Sequence, residues 1–472
     1  CCAALAAVEG GARVGILEKA AKRDRGGNSA LTGHIRFVFN GLEDLRPLVR
    51  STTEEELRKL LERLPRRTEA DMWDEVMRVT NNQSDQDMLQ VHVTKSLKTV
   101  HWLASKGHDW VPGSQWNENI LNPNGGGFGL QQRHCTMLEK AGAQFYYETA
   151  AVDLIRDDNG RVTGVVGLSP QGHVNFKAKS VVLACGSFEA NPQMRAQYLG
   201  VGWDMVRVRG VPFNTGDGLR MAMNIGAMPH GSWSTCHASP QDINLAPYKI
   251  PIAYSTKASK ARYMYPYSVM VNINGERFID EAYDLRGRTY AAMGRAILTQ
   301  PGGIAFQILD AKARKLDMYP MNYDDATTEK ADTLEELAAA LDINAANLVR
   351  TVREFNAAIQ PGTFNPDRHK LDGKHTAGLA INKSNYSMSI EEGPFEGFPV
   401  RCGMTFCYGG LKIDPKNGQV QHVAGRPIPG LYAAGEMAGG LWVGNYASGS
   451  GMMAGATFGR IAGAHAAAAA IA

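Results

Sequence analysis

The 472-residue chain lacks several features that would settle its class at once. No apolar run approaches the roughly 18 residues of a membrane span, so no such span is expected. Neither charge is in surplus: Lys plus Arg number 50 and Asp plus Glu 47, and a net +3 gives no basis for nucleic acid or an acidic membrane as partner. There is no C-x-x-C pair, and the seven cysteines (1, 2, 135, 185, 236, 402 and 407) are scattered. That argues against a disulfide framework and a zinc site; no metal is expected, and reduced thiols fit a cytoplasmic protein. No cysteine cluster or haem motif is there to carry electrons. A glycine-rich turn ahead of the first strand is also missing. Ala12 to Glu18 reads as the second strand of a dinucleotide-binding βαβ unit, closed by a ribose-binding carboxylate at Glu18, with Lys19 beside it. The G-x-G-x-x-G turn belongs about 20 residues earlier. It would fall before residue 1, so the expectation is a truncated chain without its first strand and pyrophosphate cradle.

What is present points to an α/β protein. The 44% hydrophobic content suffices for a large core, and the length favours two domains. The 51 glycines suit many tight βα turns. Charge spacing predicts helices over Thr52 to Leu64, Asp71 to Val79 and Asp85 to Ser105, and another after Gly125-Gly126-Gly127. Ala143 to Thr149 reads as a strand entering a β-meander, Asp157-Asp158-Asn159-Gly160 as a hairpin turn, and Ser180 to Ala184 as a buried strand. From about residue 230 to 401 the chain holds fewer apolar strands, more Tyr and Met, and helical stretches at Glu329 to Leu341 and Asn347 to Ile359. The simplest account is a capping domain over 231–403 inserted between two halves of a nucleotide domain, 1–230 and 404–472. The end, His465 to Ala472, reads as a fraying helix.

Toward the C-terminus, Leu431 to Ala434 predicts a strand running into Gly435-Glu436, followed by Gly449-Ser450-Gly451-Met452 and a helix of small residues. A glycine lets backbone pass close to a ligand, Glu436 can hold a polyol hydroxyl, and the helix N-terminus carries positive potential. Together these look like the wall of a flavin site. Gly26-Gly27-Asn28-Ser29 offers backbone amides to a flat ring.

With these segments, the chain resembles the flavoprotein family of fumarate reductase and succinate dehydrogenase. The carriers are Gly26 to Ser29, Val182 to Phe188, Asn214-Thr215-Gly216-Asp217-Gly218, Val271-Asn272 with Gly275 and Arg277-Phe278, and Gly435-Glu436. Gly231-Ser232-Trp233, Cys236-His237-Ala238, Lys383-Ser384-Asn385, Thr405-Phe406, and Asn445-Tyr446 look most like tricarballylate dehydrogenases. The resemblance implies a Rossmann-like, three-layer FAD-binding domain with a β-meander, interrupted by an α+β cap. It implies cofactor contacts at Glu18, Lys19, Gly26, Gly27, Asn28 and Ser29, then at Thr32, Gly33, Ala151 and Val152. Further contacts are implied at Ala184, Cys185, Gly186, Asn214, Gly216 and Asp217, and at Gly435, Glu436, Ser450, Gly451 and Met452. Asn28 stands at or near the histidine that tethers FAD in complex-bound members, so FAD is expected to be non-covalent; the spacing of His34 does not fit the tether.

The implied chemistry is transfer of two hydrogens across a carbon-carbon bond next to a carboxylate, with hydride to flavin N5 and a protein acid/base for the proton. His237 falls where the family binds substrate carboxylate, in Cys-His-Ala-Ser where fumarate reductases have His-Pro-Thr. Arg286 lies five residues after Glu281, one more than the family's proton-delivering arginine, which leaves Arg288 a competitor. Phe406 and Tyr446 replace a histidine and an arginine of fumarate reductases. Tyr446 resembles a tyrosine of the tricarballylate and ketosteroid enzymes, and Thr405 and Arg401 are further substrate-binding candidates. The alternatives are a ketone desaturase of the 3-ketosteroid type, a fumarate reductase-like enzyme, and an inactive fragment. The expected partners are a small carboxylate or enone and a separate electron-transfer protein or quinone.

Overall fold

The computed structural model describes residues 1–50, 52–113, 119–248, 260–316, 323–367 and 369–471. By internal contacts the chain forms two compact units. The first holds Cys1–His237 and Thr405–Ala472, the second Ala238–Pro247 and Ser255–Met404. The changeovers fall at 237/238 and 404/405, inside the strands Pro229–Asp242 and Phe395–Leu411, against 230/231 and 403/404 from the sequence.

In the first unit the predicted βαβ remnant is a helix, Cys2–Glu9, and a short strand, Gly15–Leu17, parallel to Gln144–Tyr146. A second parallel pairing joins Val181–Leu183 to Pro427–Ala433. Between them lies the meander Ala150–Arg156, Val162–Ser169 and Gly172–Lys177, antiparallel throughout. Its first hairpin turns at Gly160, which takes the positive φ of 77°. The first pairing of the meander shifts register twice: Ala151 pairs with Gly167 and Asp153 with Val166, so Val152 is an extra residue whose backbone leaves the ladder, and a second irregularity falls between Ile155 and Arg156.

Local signals explain the helix starts. Thr53 and Thr68 each form reciprocal capping boxes three residues ahead, starting Glu54–Arg63 and Glu69–Val79, and Asp85 caps Gln86–Ser105. Ile35, Phe37, Phe39, Val100, Leu103, Trp110 and Met453 share one core with Ala4 and Leu5 of the first helix.

The last helix runs unbroken over Ser450–Ile471, with Ala466 and Ala467 buried, so the expected fraying from His465 is corrected; Ala472 lies outside the described residues. Its small residues let the helix Cys2–Glu9 pack at backbone distance. A Cβ at Gly463 would lie 2.0 Å from the Ala3 carbonyl oxygen, and one at Gly459 3.2 Å from Cys2 Cβ.

The second unit is built on antiparallel strands Val269–Val271, Ile304–Leu309 and the first part of Phe395–Leu411. Of the predicted helix Glu329 to Leu341, only Leu334–Leu341 is helical. Glu329–Ala331 instead pairs antiparallel with Phe395–Gly397, and a Thr333/Glu336 capping box starts the helix after it. Leu337, Leu348, Val352 and Phe355 pack on Val269, Val271, Phe306 and Ile308 as this unit's own core.

The contact at Gly463 is testable. An alanine there gains roughly 1 kcal/mol of helix propensity, but overpacking against backbone costs about 1–3 kcal/mol or more. Gly463→Ala should therefore lower the denaturant midpoint, whereas Gly459→Ala, where a Cβ would meet Cys2 Cβ at 3.2 Å and the Ala3 amide nitrogen at 3.4 Å, should lower it far less. Equal midpoints for wild type and Gly463→Ala would contradict the packing described.

Candidate cofactor and substrate site

Glu18 ends the first strand, where its carboxylate accepts the Ala20 amide at 2.9 Å and the Gly26 amide. Burial raises its pKa despite these bonds. Lys19 turns to Thr215 Oγ1 (2.6 Å) and Asp217 Oδ2 (2.8 Å), and so links the strand to the helix Asp217–Asn224. Cys185 stands close to Glu18, Lys19 and Asp217 just beyond Val181–Leu183. Its thiol is pushed up to about 11, by surrounding protein mass and then by the Asp217 carboxylate, although the residue itself is solvent-exposed. Gly186 has φ 73°, and a Cβ there would meet Asn214 Nδ2 at 2.5 Å. Gly216, φ 82°, provides the turn ahead of Asp217.

A second cluster surrounds Asn28. Its Nδ2 donates to Glu189 Oε1 (2.7 Å) and to the Thr405 carbonyl (2.9 Å), and its Oδ1 accepts the Val211 amide (2.8 Å). The side chain thus ties four chain segments together. Asn214 Nδ2 also donates to Glu189 Oε1, at 2.5 Å. Glu436, half-buried, accepts the Cys407 amide at 2.9 Å and the Ser187 amide. Gly127 serves this region from behind, since a Cβ there would lie 1.9 Å from the Ser29 carbonyl oxygen. Gly26 (φ 114°) and Gly27 (φ 58°) precede Asn28, and a Cβ at Gly27 would meet nothing within 4 Å. Thr32 hydroxyl reaches back to the Asn28 carbonyl at 3.4 Å, and Gly33 follows half-buried.

The third cluster is His237, Phe406 and Tyr446. His237 lies 5.2 Å from each of the other two rings, Phe406 and Tyr446 are 5.2 Å apart, and Trp442 is 5.0 Å from Tyr446. The imidazole is buried, and that burial, followed by the nearby Arg209 charge, lowers its pKa well below the usual value. At neutral pH His237 is therefore uncharged and acts as a hydrogen-bonding group, not a cationic clamp. Tyr446 Oη accepts the Gly451 amide at 2.8 Å and the Gly449 amide, and so caps the last helix. The Gly451 amide, expected to face the cofactor, is thus engaged by Tyr446. Arg36 fixes the segment before that helix: it pairs with Glu75, and its Nε donates to the Ser448 carbonyl at 2.6 Å.

Arg209 is the site residue that sequence reading missed. Its Nη1 donates to Thr405 Oγ1 at 3.3 Å. It carries no motif; the short strand Arg207–Val208 delivers it by pairing with Phe395–Leu411, far along the chain.

The remaining candidates belong to the second unit. Arg286 begins the helix Arg286–Leu298 with its guanidinium 5.3 Å over the Tyr263 ring. Arg288 Nη1 is 3.4 Å from Asp284 Oδ1. Arg401 Nη1 reaches the Ile243 carbonyl at 3.4 Å.

These residues fit a flavin dinucleotide. Glu18 supplies a desolvated acceptor for a ribose, and the unladdered backbone at Val152, next to Ala151, supplies polar groups for a base edge. Ser450, fully buried at the N-terminus of a 22-residue helix and followed by half-buried Gly451 and Met452, has a hydroxyl with no protein partner. Gly435, φ 71°, has Gly455 Cα as its nearest obstacle at 4.0 Å. Gly27 and Gly435 each leave open space where a side chain would stand, which lets a planar ring approach the backbone, and Glu436 can hold a polyol hydroxyl. Cys185 and the exposed Ala184 sit at the carboxyl end of a parallel strand, where α/β sheets take ligands.

The depressed pKa of His237 has a direct consequence. The unfolded chain takes up a proton below about pH 6.5 while the folded one does not, so this residue's share of stability is full above that pH and is lost as pH falls. Relative to His237→Gln, wild type should lose up to about 1.4 kcal/mol per pH unit between pH 6.5 and 5. Urea titrations at the two pH values measure it, and parallel losses in both proteins would refute a buried neutral imidazole.

A family model described as FAD binding domain matches residues 1–452. The chain is 29% identical over 408 residues to NADH:acrylate oxidoreductase of Vibrio harveyi, covering 80% of this chain and 36% of that protein. It is 30% identical over 404 residues to probable fumarate reductase Ifc3 of Shewanella frigidimarina strain NCIMB 400, covering 84% of this chain and 63% of that one. It thus spans less than two thirds of the length of either. The solved open conformation of a flavocytochrome c3 fumarate reductase superposes with TM-score 0.72 at 26% identity, covering 100% of this chain and 76% of that one. A cradle that fits a flavin dinucleotide and a match over nearly all of the sequence lead to one conclusion: the chain belongs to the FAD binding domain family, and FAD is its cofactor.

Proposed function

We propose that the protein is an FAD-dependent oxidoreductase that removes or adds two hydrogens across a carbon-carbon bond beside a carboxylate. The observation that carries this reading is the His237, Tyr446 and Arg209/Thr405 cluster against an aromatic wall. Two hydrogen-bond donors and one guanidinium are the groups needed to hold a carboxylate and polarise its α carbon. The relatives named for acrylate and fumarate reduction support the same class. FAD, when bound, supplies or accepts the hydride. His237 in neutral form donates one hydrogen bond to a substrate oxygen. Tyr446, its oxygen already held by backbone amides, donates its proton to another. Arg209 supplies the fixed positive charge.

For the proton at the α carbon we assign Arg286 over Arg288, because Arg288 faces Asp284 while Arg286 lies on an aromatic face. An arginine works as acid/base only in a polarised, poorly hydrated setting. Arg401 is proposed as a second carboxylate contact. The finer reading is a tricarballylate-like substrate. A second reading, a ring ketone of the 3-ketosteroid type, is favoured by the aromatic character of the wall: Phe406, Trp442 and Tyr446. We further propose that FAD is non-covalent, since Asn28 stands at or near the tether position and its amide is engaged in three hydrogen bonds. Electrons pass to or from a separate protein or quinone. A cytoplasmic setting suits the seven free cysteines.

Anaerobic addition of tricarballylate, succinate or a 3-ketosteroid to the FAD-loaded protein should bleach the flavin band with one of the three. Arg286→Ala should slow that bleaching by about 10²–10⁴-fold, and Arg288→Ala far less. No bleaching with any of them, together with no reoxidation of chemically reduced protein by fumarate or acrylate, would refute the assigned reaction; equal losses in both arginine variants would refute the assignment of Arg286.

A further inference from the structure

Beneath Asn28 lies a pair of carboxyl groups that the proposed chemistry does not use. Glu189 is fully buried, and Glu436 half-buried beside it. An oxygen of each and the Cys407 sulfur all lie within 4.8 Å of one another. The outer bonds of the pair are already made. Glu189 Oε1 accepts two amide donors, Asn28 at 2.7 Å and Asn214 at 2.5 Å, and Glu436 Oε1 accepts the Cys407 amide at 2.9 Å. What remains is Glu189 Oε2, buried and with no hydrogen-bond partner, while a Glu436 carboxyl oxygen lies within 4.8 Å of the Glu189 carboxyl group. Two carboxylates cannot bond to one another, since both are pure acceptors; one proton between them lets the pair do so.

The geometry points to a shared-proton pair: we propose that Glu189 and Glu436 hold one proton between them and take up a second when the cofactor is reduced. This rests on the FAD reading, through Glu436 at the cofactor wall. While the cofactor is oxidised, the pair carries one proton and one negative charge. A hydride delivered to the cofactor adds one negative charge there. One proton from water then forms an O–H bond on the remaining carboxylate, so the net charge of the region is unchanged and no protein group is oxidised or reduced. Half-buried Glu436 is the entry point, and fully buried Glu189 is the positioning residue.

The groups around the pair favour this behaviour. Burial raises both acids, and the mutual repulsion of the two carboxylates raises Glu436 further. From the helix Pro192–Leu199, Arg195 offsets only part of the negative charge, and it also donates to the Glu189 and Asp204 carbonyls. Cys407, raised well above the ordinary thiol value by burial, stays neutral, with Cys236 on its other side. The Ser187 amide faces Glu436, and Asn28 and Asn214 are uncharged.

Infrared spectra of the purified protein at pH 7, with and without FAD, should contain the carbonyl band of a buried carboxylic acid, shifted in D₂O and lost in Glu189→Gln. Redox titration of the bound FAD against pH should give two protons per two electrons in wild type and one in Glu189→Gln. Glu436→Gln provides the same comparison if Glu189→Gln does not fold. Absence of the band in wild type, its survival in both variants, an unchanged proton count, or a stoichiometric divalent metal in the purified protein would each overturn the proposal. Failure to bind FAD would instead count against the FAD reading, and the infrared band of the FAD-free protein would still decide whether the proton is shared.

Discussion

The hydrogen bonds of Asn28 set the arrangement of the cofactor wall. One short amide side chain uses both its oxygen and its nitrogen, and through them holds the segments at Glu189, Val211 and Thr405 to the loop after Gly26-Gly27. The site's other groups are reached from these anchors. Thr405 leads to Arg209 on one side and to Phe406 on the other; Glu189 leads to Asn214 and Glu436. Gly210 belongs to the same constraint, since a Cβ there would meet Asn28 Oδ1 at 2.6 Å. A side chain with both donor and acceptor in one plane is required, and neither aspartate nor leucine, of similar volume, supplies it.

Burial then separates the roles of the groups the fold collects. A buried imidazole loses its charge, while a buried tyrosine hydroxyl that accepts two backbone amides at the start of the last helix stays protonated. Arg209, half-exposed, brings a positive charge to this end of the first unit. Among the described residues of the aromatic cluster, neutral hydrogen-bonding groups thus stand beside a guanidinium.

Much of this was legible in the sequence where chemistry and spacing are local. Glu18, the Gly26 to Ser29 loop, Gly435-Glu436 and the small-residue helix stood out because each pairs a conformational need with a polar group a few residues away. The capped helices were legible for the same reason. Arg209 and Glu189 were not, because nothing near them in sequence marks them. Arg209 acquires its role through strand pairing with a segment almost two hundred residues later, and Glu189 through burial against Glu436. The strand at Glu329–Ala331 was misread because its charges fit helical spacing, and only tertiary pairing with Phe395–Gly397 decides otherwise. The sequence suggests Tyr446 as a donor, but the task the structure gives it, closing the N-terminus of the last helix, depends on a backbone amide five residues on.

The backbone-to-backbone seat of Ala3 against Gly463 constrains how the chain acquires its structure during synthesis. The helix Cys2–Glu9 is made before Ser450–Ile471, against which much of it packs, so this contact waits for a segment distant in sequence and the first unit closes as a high-contact-order, slow event. The second unit, apart from the short piece Ala238–Pro247, is contiguous and carries its own core, and it is free to condense while the first is still open. The order of assembly therefore departs from the order of the sequence: the inserted middle first, the interrupted frame last.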